Sequence, residues 1–499
     1  MQEKNFIKIS PLDNVIVALK PLTKGDELEV DGGKIVLLDD IPFGHKIALR
    51  DIKAAEDIIK YAMPIGCALF DIKKGSWAHS HNIKTKLSGI ENYSYQKKKP
   101  SPFYLNEKFQ NAVFRGYKRK DGSVGIRNEI WIIPTVGCVN TTAKILEKKA
   151  NEVFDGKTDG IFAFTHNMGC SQIGDDLLMT QKILAGLINN PNAGAVLVLG
   201  LGCENNIVKN FTRVLGDYDK DRVKFLTVQS VDNEYDEGLK IIKELSDYAS
   251  SFKREIVGAD KLVVGFKCGG SDAFSGISAN PLCGKISDML IALHASAILT
   301  ETPEMFGAEK LLMQRAADEN VFNKIVNLIN NFKKYFMKYN QTIYENPSPG
   351  NKDGGITTLE EKSLGCVQKG GSAYVSDVIE IGEKTKTAGL NLLSGPGNDM
   401  VSCTNLCASG AQLILFTTGR GNPFGSCVPT IKISSNSYLY NRKKHWIDFN
   451  AGSIIEGESF ESLAEKLFDY ILNVASGEKT KNEINDYREI SIFKDGVIL

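Results

Sequence analysis

From Val113 onward the sequence alternates compact apolar runs of strand length with longer amphipathic segments, and this alternation limits the possible folds more than any other feature. A run that is apolar at every position reads as a strand buried on both faces. A segment with one apolar stripe reads as a helix lying on such a sheet, so the alternation predicts an α/β chain with mainly parallel sheets. The predicted strands are Ile130–Ile133, Ile161–Phe164, Ala195–Leu199, Val223–Leu226, Leu262–Phe266, Ala297–Thr300 and Leu413–Thr417. Helices are predicted over Thr141–Val153, Asp176–Leu187, Glu234–Tyr248, Pro281–Leu293, Ala308–Tyr339 and Glu461–Ala475.

Residues 1–95 have a different texture, with short strands at Asn14–Leu19, Glu27–Val30, Lys34–Leu38 and Lys46–Leu49 and a hairpin signal at Asp31-Gly32-Gly33. This is a small β domain. The stretch Tyr93–Pro102 lacks apolar periodicity and reads as a linker. Glu345–Gly355, with two prolines and three glycines, reads as a long loop that excludes helix and inner strand. Loops of that length in a compact domain often carry function.

Composition removes several classes of function. Lysine plus arginine (60) equals aspartate plus glutamate (60), and basic residues gather only in short runs such as 97–99 and 442–444, so no nucleic-acid partner is expected. The longest apolar run, Ala193–Leu201, falls short of the roughly 20 residues that span a bilayer. The first twenty residues interrupt their apolar positions with Glu3, Lys4, Lys8 and Asp13 and do not resemble a signal peptide. Ten cysteines in 499 residues without a secretion signal fit reduced thiols in a cytoplasm.

The chemistry gathers after the predicted strands. Six consecutive loops carry Cys, His, Glu, Asp or Arg beside glycine: Gly137-Cys138; His166 to Gly169-Cys170; Gly202-Cys203-Glu204; Cys268-Gly269-Gly270-Ser271-Asp272; Glu301; and Gly419-Arg420-Gly421. Ligands of open α/β sheets bind outside the carboxyl ends of the strands, so these loops are expected to share one site. A single cysteine among them is more often a small buried hydrophobe. Of six histidines, two fall in His79-Ser80-His81-Asn82, where a strand would turn both to one face, although such a pair taken alone is more often a solvated surface feature. His45 follows Pro42-Phe43-Gly44 and has an equally plain reading as a hydrogen-bonded turn residue. Walker and dinucleotide fingerprints are absent. Cys403 and Cys407 stand among Ser402, Thr404 and Asn405, which suggest a loop or cap and a structural role.

At these loops the chain resembles the altronate/galactarate dehydratase family. The carrying stretches are residues 44–49, 78–82, 121–129, 134–140, 169–176, 200–206, 268–281, 345–352 and 416–425, which together span nearly the whole chain. The pair His79 and His81 resembles the altronate branch, since the galactarate branch lacks it. Cys403 and Cys407 match no motif of the family. The resemblance implies an N-terminal β-clip domain of the antifreeze-like (SAF) type over residues 1–95, then two α/β domains over 106–252 and 255–499, and a requirement for Fe2+ or Mn2+.

The implied reaction dehydrates a sugar acid, D-altronate to 2-dehydro-3-deoxy-D-gluconate, by removal of the C2 proton and loss of the 3-hydroxyl. That proton lies beside a carboxylate whose charge resists further negative charge, and a divalent cation relieves the conflict. His45, His79, His81 and His166, with Glu204, are the candidate catalytic residues; His79 and His81 are also the candidate ligands. Arg127 and Arg420 are expected to hold the substrate carboxylate, with Asn128, Ser271, Asp272, Asn280 and Lys352 around the hydroxyls. Three further readings stand beside this one. A galactarate-type, other aldonate or sulfolactate-type substrate would need only a different pocket shape. An iron–sulfur cluster held by three of Cys138, Cys170, Cys203 and Cys268 would make the enzyme an iron–sulfur dehydratase. A non-catalytic sugar-acid-binding protein is the remotest. A homo-oligomer is compatible with each.

Overall fold

The computed structural model describes residues 5–154 and 156–497. The N-terminal part is built from short antiparallel ladders: a four-stranded sheet in the order Phe6–Ile7, Val15–Ala18, Lys46–Ala48, Trp77–Ala78, a hairpin of Glu27–Val30 with Gly33–Val36, and a three-stranded sheet of Asp57–Lys60, Met63–Ala68 and Ile83–Lys84. The hairpin turns where Asp31-Gly32-Gly33 predicts. Val30 pairs with Gly33, and Asp31 and Gly32 both adopt positive φ (52° and 77°), the two-residue turn whose twist matches that of its strands. The strand Met63–Ala68 escapes the sequence reading because Pro64 interrupts it; its Ile65 carbonyl accepts from Thr358 of the C-terminal domain.

Tyr93–Pro102 carries no helix or strand, as a linker should, yet it is strapped down. The Tyr93 hydroxyl donates to Glu309 (2.6 Å), and the Lys98 amide donates to the Gln314 carbonyl (2.8 Å). The chain then enters the middle domain along Val113–Lys118 and leaves it along Arg254–Gly258, two strands paired antiparallel.

Between them lies a four-stranded sheet in the order Ile161–Ala163, Glu129–Pro134, Ala193–Gly200, Val223–Thr227, every pair parallel. The C-terminal domain holds a seven-stranded sheet in the order Val375–Ile379, Gly389–Leu393, Ser296–Leu299, Val263–Cys268, Leu413–Thr418, Thr430–Ser434, Phe449–Asn450, also parallel throughout. The strands Glu129–Pro134, Ala193–Gly200 and Leu413–Thr418 are buried at every position, which is why they read as unbroken apolar runs. Helices Asn140–Val153, Asp175–Ile188, Glu234–Ser250, Ala279–Ala292 and Phe460–Ala475 cover the sheets. No helix among the described residues is long and apolar enough to cross a membrane.

Three expectations fail locally. The helix expected over Ala308–Tyr339 is two, Glu309–Met313 and Glu319–Lys338, because Asp318 caps the second by accepting from the Val321 amide (2.8 Å). Glu345–Gly355 is not helix-free: Pro349–Asp353 forms one short helix, with proline where the missing N–H costs nothing and a capping box between Ser348 and Asn351. Cys403 and Cys407 lie on the fully helical segment Asp399–Ala408. Its hydroxyls are satisfied locally, Ser402 donating to the Pro396 carbonyl and Thr404 to that of Met400.

Candidate active site

His45 stands where the N-terminal domain meets the C-terminal one. Gly44 (φ +82°) and Gly355 face each other so closely that a Cβ on Gly355 would lie 2.3 Å from the Gly44 carbonyl oxygen. His45 Nδ1 accepts from the Trp77 indole N–H (3.1 Å), which leaves the proton on Nε2, donated to the Asp353 carbonyl (3.2 Å). Both nitrogens are therefore in use. Burial pushes the His45 pKa down and keeps the ring neutral.

His79 packs beside it. Its ring is 4.7 Å from that of His45 and stacks on Trp77 at 5.4 Å and 7°. Its Nδ1 is buried without a hydrogen-bond partner. Burial first, then the Lys46 ammonium and His45, hold its pKa down at about 3, so a neutral nitrogen with no protein partner is available at neutral pH. His81 is exposed, 5.0 Å from Trp77 on centroids. The pair is not on a strand, because the Asn82 side chain accepts from the His79 amide (2.8 Å) and folds the segment into a turn. Trp77, around which all three imidazoles gather, carries no signal in the sequence beyond lying two residues before His79.

Beneath this rim, Glu361 bridges two buried lysines, Lys46 (2.9 Å) and Lys60 (2.7 Å), and also accepts from the Thr357 amide. Burial lowers Lys46 to about 8, opposed by Glu361 and assisted by Lys60, while the two ammonium groups hold the Glu361 carboxyl far below its ordinary range against the effect of burial.

The C-terminal domain supplies the opposite wall. Asn351 donates to the Ser271 carbonyl (2.8 Å), and the Lys362 ammonium reaches Asn346 (3.0 Å), Asn351 (3.2 Å) and Glu304 (2.8 Å). These bonds fix the 345–355 segment so that Asp353 meets His45 and Lys352 lies alongside. Lys352 is half-buried and Arg420 exposed, and neither side chain has an ion pair or hydrogen bond among the described residues. Arg420 Nε would lie 3.7 Å from a Cβ on Gly350, so both cations flank the same short helix. The Ser271 hydroxyl is buried without a partner.

Behind that wall Cys268, Cys366 and Glu304 place three potential ligand atoms within 4.8 Å of one another, the one such group among the described residues. The thiols are 3.2 Å apart, and Cys366 Sγ is 3.1 Å from Glu304. Lys267 pairs with Glu301 and with Asp399 (2.9 Å), and Lys369 lies 3.0 Å from Glu301, so three lysines face three carboxylates and the charges balance. Its hydrogen bond with Cys268, together with burial, pushes the Cys366 thiol up. Glu301 is among the post-strand loop residues expected at the site; Glu304, Cys366, Lys267, Lys362 and Lys369 lie outside the sequence-based site. The signal that would have found them is a charged residue inside an apolar run, as Lys267 is.

Several expected site residues turn out to be framework. All the guanidinium nitrogens of Arg127 are taken, by Glu483 (2.7 and 2.9 Å) and by the carbonyls of Ile126, Val474 and Glu478, so it cannot grip a substrate carboxylate. Asn128 is held between Arg119 and the Ala249 carbonyl. Asp272 accepts from Ser275, Ser435 and Asn436, and Asn280 joins the Gly365 carbonyl to Thr417. His166 uses both ring nitrogens on backbone, the Pro134 carbonyl (2.8 Å) and the Met168 amide (3.1 Å), and burial takes its pKa to about 4. Glu204 accepts from Thr135 and from the Leu201 and Gly202 amides. Cys268 is buried against Cys366 and Glu304, whereas Cys138 and Cys203 are exposed and Cys170 is half-buried.

Comparison with known proteins bears on this arrangement along its whole length. Residues 4–86 match the altronate/galactarate dehydratase SAF domain, residues 116–250 the second domain of D-galactarate dehydratase/altronate hydrolase, and residues 259–498 the C-terminal domain of D-galactarate/altronate dehydratase. The chain is 52% identical to an altronate dehydratase of Bacillus subtilis (strain 168), over 99% of this chain and 100% of that one. It is 50% identical to an altronate dehydratase of Escherichia coli (strain K12), with 99% and 100% covered. A galactarate dehydratase (L-threo-forming) of Escherichia coli (strain K12) is 34% identical, over 95% and 93%.

Proposed function

The chain belongs to the D-galactarate/altronate dehydratase family, whose members are hydro-lyases of sugar acids, and from that premise we propose that its own substrate is D-altronate, dehydrated to 2-dehydro-3-deoxy-D-gluconate. The observation that carries the proposal is the interdomain rim, where a neutral, unpartnered His79 Nδ1 lies beside His45, and the segment on which His45 docks carries Lys352 and adjoins Arg420, two cations without a partner among the described residues. The similarity to two altronate dehydratases at about half identity over full length supports the choice of substrate.

Each group has a physical task. Arg420 and Lys352 take the substrate carboxylate, Arg420 through a bidentate fork, and thereby offset the charge that builds up when the C2 proton leaves. Ser271 supplies a hydroxyl for the sugar chain. His45, with both nitrogens engaged, is a positioning residue that docks the N-terminal domain on Asp353.

The rim offers a divalent metal one orphaned nitrogen, although it does not gather three ligand atoms within 4.8 Å of one another among the described residues. An orphaned imidazole nitrogen is a ligand suited to Fe(II) or Mn(II), and His79, with a pKa near 3, is a poor base but an able ligand. His79 and His81 would hold the ion, which when bound would supply Lewis-acid stabilisation of the developing negative charge.

The test is an anaerobic screen of metal-stripped and Fe(II)- or Mn(II)-supplied protein against aldonates and aldarates, reading 2-keto-3-deoxy acid. Altronate is expected to turn over fastest, and only with metal. His79→Ala is expected to lower kcat by about 100-fold or more, the size of a lost catalytic group, and to weaken Mn(II) binding read by EPR. Full turnover by metal-free protein, or normal turnover and Mn(II) binding in the variant, would overturn the reading.

A further inference from the structure

Cys138, Cys170 and Cys203 each follow a glycine in the loop after one of three adjacent parallel strands, Glu129–Pro134 in the centre with Ile161–Ala163 and Ala193–Gly200 on its two sides. Register brings them to one edge. Pro134 pairs with Leu199, and Cys138 and Cys203 each come four residues later; Ile132 pairs with Ala163, and Cys138 and Cys170 come six and seven residues later.

The three loops are bonded into one unit. The Gly137 amide donates to the Met168 carbonyl (3.0 Å), the Asn206 amide to that of Gly169 (3.0 Å), and the Ser171 amide to the Asn205 side chain (2.7 Å). Asn206 also reaches the Thr135 carbonyl (3.0 Å), so the outer loops are tied to the central one as well as to each other. At Gly169 (φ +103°) a Cβ would stand 2.0 Å from the Thr135 carbonyl oxygen, so only glycine allows the Cys170 loop to lie this close to the Cys138 loop. His166 and Glu204 serve the same frame, His166 by joining Pro134 to Met168 and Glu204 by gathering Thr135, Leu201 and Gly202.

What this frame presents is thiols. Cys138 and Cys203 are exposed and Cys170 is half-buried, whereas the other seven cysteines are buried. A free cysteine used for packing belongs inside. Cys170 packs in part against the core of the middle domain, but no core packing accounts for the exposed Cys138 and Cys203 beside it, each behind a glycine. They are also not a ready single-ion site: no group containing them has three ligand atoms within 4.8 Å among the described residues. Adjacent strands run about 4.8 Å apart, so the tips before Cys170 and Cys203, which flank the Cys138 tip, start roughly 10 Å apart, and the Gly169–Asn206 and Ser171–Asn205 bonds draw the two outer loops together. A cluster, whose thiolates bind different irons, spans such a group where one ion does not.

We propose that Cys138, Cys170 and Cys203 hold a [4Fe–4S] cluster in the middle domain, its fourth iron free of cysteine and open to an oxygen ligand. Cys268 is no part of it, being committed to Cys366 and Glu304 in the C-terminal domain. Among the described residues no hydrogen bond joins these loops to the histidine rim, and the proposal does not rest on the altronate reading.

The experiment is anaerobic reconstitution of the full chain with Fe(II) and sulfide, reading acid-labile sulfide and iron per chain, visible absorption, and EPR after dithionite reduction. The protein is expected to turn brown and retain sulfide after desalting. The triple variant Cys138→Ser, Cys170→Ser, Cys203→Ser is expected to stay colourless and sulfide-free while melting at the temperature of the unreconstituted parent. Cys268→Ser and His79→Ala are expected to keep the cluster. A parent that retains no sulfide, a triple variant that retains as much as the parent, or loss of the cluster in Cys268→Ser alone would overturn the assignment. None of these results touches the histidine rim, whose own test is Mn(II) binding and turnover in His79→Ala.

Discussion

The two parallel sheets end in similar loops but put them to opposite uses. In both, a buried, mainly apolar strand runs into glycine and cysteine: Pro134 into Gly137-Cys138, Leu199 into Gly202-Cys203, Phe266 into Cys268-Gly269. At the middle sheet the buried polar residues turn inward to tie the loops, while Cys138 and Cys203 are left exposed and Cys170 half-buried. At the C-terminal sheet the helix Leu359–Cys366 and the 345–355 segment close over the tip, and the N-terminal domain docks on both through Lys46 and His45. There the cysteine is buried, and charged residues surround it as balanced pairs. The local sequence states which residues stand at a strand end; the covering layer decides whether they meet solvent or each other.

The contrast breaks most sharply at Glu361. Glu361→Ala leaves Lys46 and Lys60 buried without their shared carboxylate and is expected to cost about 3–5 kcal/mol in chemical denaturation; a loss below the scatter of surface variants would show that the covered end is not held by this triad. The same end should contribute to acid sensitivity, alongside His166 in the middle domain, which burial takes from 6.5 to about 4. His79 is depressed from 6.5 to about 3, so the unfolded chain binds its proton first, and stability falls as pH drops below 6.5. Glu361, depressed from 4.5, contributes stability fully present above 4.5 and lost as pH falls through its folded value. Melting temperature should therefore decline through both windows, and His79→Asn should flatten the upper one; an unchanged slope between 6.5 and 4.5 in that variant would contradict the burial of a neutral ring.

Smaller effects sharpen the comparison. Arg420→Ala removes a free cation from the covered end and is expected to raise KM for a sugar acid about 10-fold or more, the weight of a charged hydrogen bond, with melting temperature unchanged. Gly169→Ala at the open end forces a side chain against the Thr135 carbonyl and is expected to cost about 1–3 kcal/mol. Smallest of all, Cys138→Ser in unreconstituted protein should change stability by less than about 0.5 kcal/mol, since its side chain is exposed; a larger loss would mean the thiol packs.

Much of the fold is legible in the residues alone. The seven strands expected from apolar runs all occur, because a strand buried along most of its length has few polar positions to disguise it. Strands such as Asp57–Lys60 and Val375–Ile379, half in solvent or interrupted by polar residues, do not announce themselves. Around the site, His45, His79, Lys352, Arg420 and the glycine-cysteine loops are visible as motifs, and the family resemblance places them in one kind of enzyme.

What residue identity could not reveal is where each polar group spends its hydrogen bonds. Arg127, His166 and Glu204 look as reactive in sequence as Arg420 and His79, and only the folded chain shows the first three saturated by backbone and carboxylate while the last two remain free. Apolar periodicity is local and survives in one dimension. Availability of a donor or acceptor depends on partners up to hundreds of residues away, as Glu483 is from Arg127, and exists only once the layers have closed.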